Sequence, residues 1–130
     1  MFLIWSAAED LKSNPDQPHV PELKKLVRAM TFSRSGAGEV KIRDTVSFST
    51  PQNFEVAIQT FGSFRRVDER TIEIEFAGTK LRTEVQTPDG FDITEERIEE
   101  LSAPAFTRIG IKLKKPVLNG EVSVIFRPVQ

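Results

Sequence analysis

The sequence contains no cysteine, no tyrosine, a single histidine (His19) and a single tryptophan (Trp5), and its formal net charge is −1. Each scarcity excludes something. Without cysteine there is no disulfide scaffold, thiol nucleophile or thiolate metal site, although the compartment stays open. Transition metals generally take three or four protein ligands that include several His or Cys, so one imidazole cannot assemble such a site. A serine or threonine nucleophile would need His19 as its base, and no small-x-Ser-x-small elbow occurs. Eighteen Lys and Arg against nineteen Asp and Glu leave no excess positive field to collect phosphates, which argues against a nucleic-acid partner. No apolar run approaches the roughly 18 residues of a membrane-spanning helix. The N-terminal run, Met1 to Trp5, is about half the shortest signal-peptide core and has no basic region before it. It reads as a first buried strand.

What is present is ordinary for a globular domain: 130 residues, 38% apolar and 28% charged, enough for one domain with its own core. Residues 9–21 place three prolines in thirteen positions, a composition that blocks both helix and strand and reads as an ordered loop or a linker. From Leu23 onward the apolar period is close to two, the mark of strands buried on one face. Leu26, Met30 and Phe32 share one face, and Val40, Ile42, Val46 and Phe48 share another. A loop over Ser35, Gly36 and Ala37 pairs positions whose numbers sum to 72, setting Phe32 opposite Val40, Met30 opposite Ile42 and Leu26 opposite Val46. The same register sets Arg28 against Asp44, the one charge interrupting each apolar face. It predicts an inward salt bridge between them, the alternative being a β-bulge that turns Asp44 outward.

Phe54, Val56 and Ile58 alternate next, followed by a break at Gly62. Ile72, Ile74 and Phe76 precede Gly78-Thr79, which suits a type II′ turn pairing Phe76 with Leu81. Residues 94–101 combine Glu95, Glu96, Glu99 and Glu100 with Ile98 and Leu101, and fit one or two helical turns or a charged edge strand equally well. Thr107 to Lys114 alternates strictly, and Asn119-Gly120 signals a type I′ hairpin into Val122, Val124 and Phe126. The expectation is an all-β, antiparallel two-sheet β-sandwich of about eight to ten short strands with at most one short helix. An up-and-down barrel is the alternative. The inward Phe, Ile, Leu and Val are then core, which would absorb most of the ten Phe.

The remaining chemistry is sparse. Glu73 with Glu75, and the Glu95–Glu100 cluster, are candidate carboxylate pairs that read more simply as solvated faces. Asp89 and Asp92 flank Gly90 without a twelve-residue calcium loop. Gly36-Ala37-Gly38 lacks the lysine of a phosphate loop. No cofactor is indicated. Lys24-Lys25, Arg65-Arg66 and Lys114-Lys115 would suit an acidic polysaccharide, but one Trp and no Tyr give little for sugar rings to stack on.

In order and pattern, Ala7-Ala8 through Leu23 to Arg28, the hairpin Phe32 to Asp44, the stretch Phe54 to Phe64 and the run Phe106 to Ile111 resemble the β-rich C-terminal region of heparinase II/III-like polysaccharide lyases. Arg28, Asp44 and Gly62 are its anchors. The resemblance spans nearly the whole chain without a catalytic signature. It implies that a helical toroid precedes this region in the parent protein and that uronic-acid-containing glycans are cleaved there by β-elimination, in a secreted or periplasmic setting. That reaction needs a base, commonly Tyr or His, and groups that neutralise the sugar carboxylate. The family's catalytic Tyr, and its His and zinc ligands, have no counterpart in these residues. Residues 1–130 are therefore expected to be one non-catalytic C-terminal domain whose partner is the upstream catalytic domain. The alternative is a free-standing sandwich module for protein interaction, adhesion or weak carbohydrate binding. An exposed apolar strip over Phe2, Leu3, Ile4 and Trp5 would favour the first reading.

Overall fold

A computed structural model describes residues 2–6 and 22–129, the first of these stretches as backbone. The protein is an all-β, antiparallel two-sheet sandwich with no helix among the described residues. The strands are β1 (Phe2–Ser6), β2 (Leu23–Ser33), β3 (Glu39–Gln52), β4 (Glu55–Thr60), β5 (Ser63–Arg66), β6 (Thr71–Phe76), β7 (Thr79–Gln86), β8 (Phe91–Glu100), β9 (Ala103–Leu113) and β10 (Val117–Val129). One sheet has the order β1-β4-β9-β8 and the other β2-β3-β10-β7-β6-β5. Each sheet ends in two edge strands, so the described strands form no closed barrel. The 14-residue β3 and 13-residue β10 are longer than the short strands expected.

Alternation decides which residues meet between the sheets. Ile42, Val46 and Phe48 of β3 and Val122, Val124 and Phe126 of β10 pack into one buried cluster with Val56 and Ile58 of β4 and Ile109, Ile111 and Leu113 of β9. The β2–β3 hairpin has the register read from the sequence, with Phe32 opposite Val40, Met30 opposite Ile42 and Leu26 opposite Val46. Its irregularity lies between Leu23 and Lys25, away from Asp44. Gly36 and Gly38, with φ of 59° and 97°, turn the chain at its tip.

Three expectations are corrected. The β6–β7 turn is Ala77-Gly78, with φ of 54° and 81°, so Phe76 pairs with Thr79 and Leu81 faces Ile74. Positive φ at both central residues is the type I′ pattern. The register with Phe76 against Leu81 would set Glu73 against Glu84, whereas the observed one sets Glu73 against Arg82 and Glu75 against Lys80. Opposed like charges on paired strands are destabilising, so the observed register gains opposite-charge pairs at the cost of a non-glycine residue at positive φ.

Asn119-Gly120 is not a hairpin. Both lie inside β10, opposite Ser47 and Val46, and the chain changes sheet between β9 and β10. A Cβ on Gly120 would come within 3.0 Å of Val117 and 3.1 Å of Val46, so the glycine serves close packing instead of a turn. Of residues 94–101, open between helix and strand, 94–100 form most of β8, an edge strand of the four-stranded sheet, and Leu101 begins the turn after it.

The phenylalanines are the third correction. Phe48, Phe54 and Phe126 are buried and Phe64 and Phe91 pack against the core, but Phe32, Phe61 and Phe76 are exposed. The Pro-rich stretch 9–21, with His19, lies outside the described residues.

Candidate functional site

Arg28 and Asp44 stand directly opposite each other on β2 and β3. Arg28 Nε donates to Asp44 Oδ1 at 2.7 Å and Nη2 donates to Oδ2 at 2.8 Å, a two-pronged pair. The Asp44 side chain is 2% exposed and that of Arg28 23%. Ile42 and Val46 flank the carboxylate along β3, and Val122 lies across from it on β10. The pair is thus an ionic insertion into an apolar face, with its guanidinium end nearer to solvent.

Beyond it toward the hairpin tip, the inner face of the six-stranded sheet forms a groove of about 570 Å³. Met30, Phe32, Ile42, Leu81, Phe126 and Pro128 contribute its apolar walls and Arg28 its inner end. Met30 and Phe32 are 67% and 61% exposed despite their inward register. Sequence reasoning missed this groove. Alternation reports which face a side chain takes, but not whether the opposite sheet extends far enough to cover it.

The second polar cluster lies on the outer face of the same sheet. Glu73 of β6 is buried beneath three cations: Arg65 Nη2 at 3.3 Å, Arg82 Nη2 at 3.4 Å and Lys80 Nζ at 4.0 Å. Burial pushes its carboxyl upward, but the Arg65 charge, hydrogen bonds from Arg65 and Arg82 and the Lys80 charge outweigh it. The net result lies below the usual glutamate value. The solvated-face reading therefore holds for Glu75, which is exposed, and not for Glu73. At the β5–β6 turn, Asp68 is also held below the usual aspartate value. The chief cause is the Arg70 backbone N–H, which donates to its Oδ1 at 2.8 Å.

Of the other candidates, Arg66, Asp89, Asp92 and Lys114 line one open pocket of about 340 Å³, and the rest are dispersed. Glu95, Glu96, Glu99 and Glu100 are exposed along β8, with Glu99 3.6 Å from Arg97. Asp92 faces Lys114 at 3.8 Å, while the Asp89 N–H donates to Thr87 Oγ1. No three His, Asp or Glu side chains among the described residues gather as a metal site. Of the basic pairs, Arg65 is engaged by Glu73 and Arg66 donates to the Glu69 carbonyl at 3.4 Å. Lys24 and Lys25 are exposed on β2.

The fold and these clusters define an antiparallel sandwich whose inner face carries an ion pair beside an open apolar groove. No known family model matches the sequence, and a search of curated proteins likewise finds no match.

Proposed function

We propose that the protein is a non-catalytic accessory β-sandwich domain, positioned beside the catalytic part of a heparinase II/III-like lyase that acts on uronic-acid-containing glycans. The observation that carries the non-catalytic reading is the way its buried carboxylates are paired. A general acid or base works best with a pKa near the operating pH and an open path to substrate. Glu73 instead sits under three cations that hold it ionised, and Asp44 is gripped at both oxygens by Arg28. Arg65 and Arg82, which would otherwise suit a uronate carboxylate, are turned to Glu73. The link to a lyase rests on the resemblance in strand pattern and on the anchors Arg28, Asp44 and Gly62.

The apolar groove supports a docking role, because contiguous exposed apolar surface on a small domain commonly marks an interaction site. It equally favours a second reading, a free-standing interaction module. The two differ in whether the partner belongs to the same polypeptide. The strip over Phe2, Leu3, Ile4 and Trp5 falls outside the described side chains and does not separate them.

The test is to incubate the isolated chain with heparan sulfate, heparin and alginate and follow the ultraviolet absorbance of the unsaturated product. No turnover is expected, and turnover would overturn the assignment. A coding sequence on the N-terminal side that specifies a helical region bearing Tyr and His would support the accessory reading. A gene without one would leave the free-standing module.

A further inference from the structure

We propose that the protein self-associates head to tail, the outer edge of β2 in one copy adding antiparallel to the outer edge of β8 in the next. This inference does not rest on the lyase reading. Both strands terminate their sheets, and no described strand pairs with the outer edge of either. They are also long enough to matter, at 11 and 10 residues, whereas the opposite edge strands β5 and β1 have 4 and 5. An open edge presents unpaired N–H and C=O groups, and proteins commonly protect it with charge.

Here the two long edges carry opposite charge. Strand β2 contains no acidic residue and exposes Lys24 and Lys25. Strand β8 carries Asp92, Glu95, Glu96, Glu99 and Glu100 against one cation, Arg97. Pairing of β8 with itself would align carboxylates, and pairing of β2 with itself would gather lysines. Only the unlike combination is attractive, so the charges that prevent one kind of aggregation select another.

The apolar residues are graded in the same sense. In an antiparallel pairing with Phe32 opposite Phe91, the numbers sum to 123, which sets Met30 against Ile93 and brings Lys25 and Lys24, at the β2 irregularity, beside the segment from Ile98 to Glu100. The exposed end of β2, Met30 and Phe32, thereby gains apolar neighbours while its basic end meets the acidic end of β8. Because the two surfaces differ, each copy keeps one free edge of each kind, and the contact propagates into open chains unless its rotation closes a ring.

Sedimentation velocity of the full chain over a range of concentrations, at low and at high salt, tests the proposal. Species growing beyond a dimer with concentration and shrinking with salt are expected. The pairs Lys24→Glu with Lys25→Glu, and Glu99→Lys with Glu100→Lys, should each weaken association about tenfold. Mixing these two double variants, or combining all four changes in one chain, should restore it. These side chains are exposed, so an unchanged circular-dichroism melt would confirm that each variant folds. A chain that stays monomeric in low salt overturns the proposal. So does a plateau at dimer that responds to Lys24 and Lys25 but not to Glu99 and Glu100, since that outcome means β2 pairing with itself.

Discussion

Arg28 and Asp44 form a two-pronged ion pair on the inner face of the larger sheet, with the carboxylate buried and the guanidinium nearer to water. That asymmetry predicts an asymmetric response to mutation. Arg28→Met strands a buried carboxylate and should cost about 3–5 kcal/mol, whereas Asp44→Leu leaves a cation with a route to solvent and should cost less. The double variant Arg28→Met with Asp44→Leu should recover most of the loss, because an apolar pair of similar size often replaces a buried ion pair without penalty. Urea unfolding of the three variants at neutral pH measures this, and equal losses in all three would contradict it.

The sequence carried the β2–β3 register because period-two alternation and a glycine-rich loop fix it independently, and the two agree on Arg28 opposite Asp44. The β6–β7 register was harder. Two alignments keep the same faces inward, and the observed one is the one that sets Glu73 against Arg82 and not against Glu84. Asn119-Gly120 misled because its turn propensity is local, while the opposing Val46 and the nearby Val117 are placed by the tertiary fold. The groove was invisible for a related reason: Phe32 has the same inward register as Phe126, yet is exposed while Phe126 is buried.

The lowered carboxyls of Glu73 and Asp68 predict a loss of stability in acid. Each carboxyl is held below its usual value, 4.5 for Glu and 3.8 for Asp, so its ionised form is favoured by folding. The contribution is fully present above those usual values and is lost as pH falls through the lower, folded-state pKa. Melting temperature should therefore decline below about pH 4.5. For Glu73→Gln the decline should be shallower and the neutral-pH melting temperature lower. Parallel melting-temperature profiles for wild type and variant would show that Glu73 is not among the groups responsible.

Two glycines distinguish a backbone clash from a side-chain one. A Cβ on Gly62 would fall 2.0 Å from the Glu75 carbonyl oxygen, which is fixed in the β5–β6 ladder. On Gly110 the nearest atoms are side-chain oxygens of Glu55 and Thr94, at 2.5 and 2.7 Å, the Glu55 oxygen also held by Arg108 Nη2 at 2.6 Å, so an added methyl displaces side chains and not backbone. Gly62→Ala should therefore reach or exceed the upper end of the roughly 1–3 kcal/mol usual for overpacking, and Gly110→Ala should stay near its lower end. Equilibrium unfolding ranks them, and the reverse order would mean that the Gly62 crossover yields more easily than the Glu55 and Thr94 side chains.

The Ala77-Gly78 turn leaves room for improvement. Ala77 holds φ at 54°, a conformation that Asn adopts far more readily than Ala, and Asn-Gly is a favoured type I′ pair. Ala77→Asn should therefore raise stability by up to about 1 kcal/mol, while Ala77→Val should lower it, since a β-branched residue at positive φ is a steric outlier. If the turn adopted the type II′ geometry at Gly78-Thr79, position 77 would lie in a strand and valine would be the better residue there. Thermal unfolding of the two variants therefore separates the registers: Asn above wild type and Val below it supports Phe76 paired with Thr79, and the opposite ranking supports Phe76 paired with Leu81.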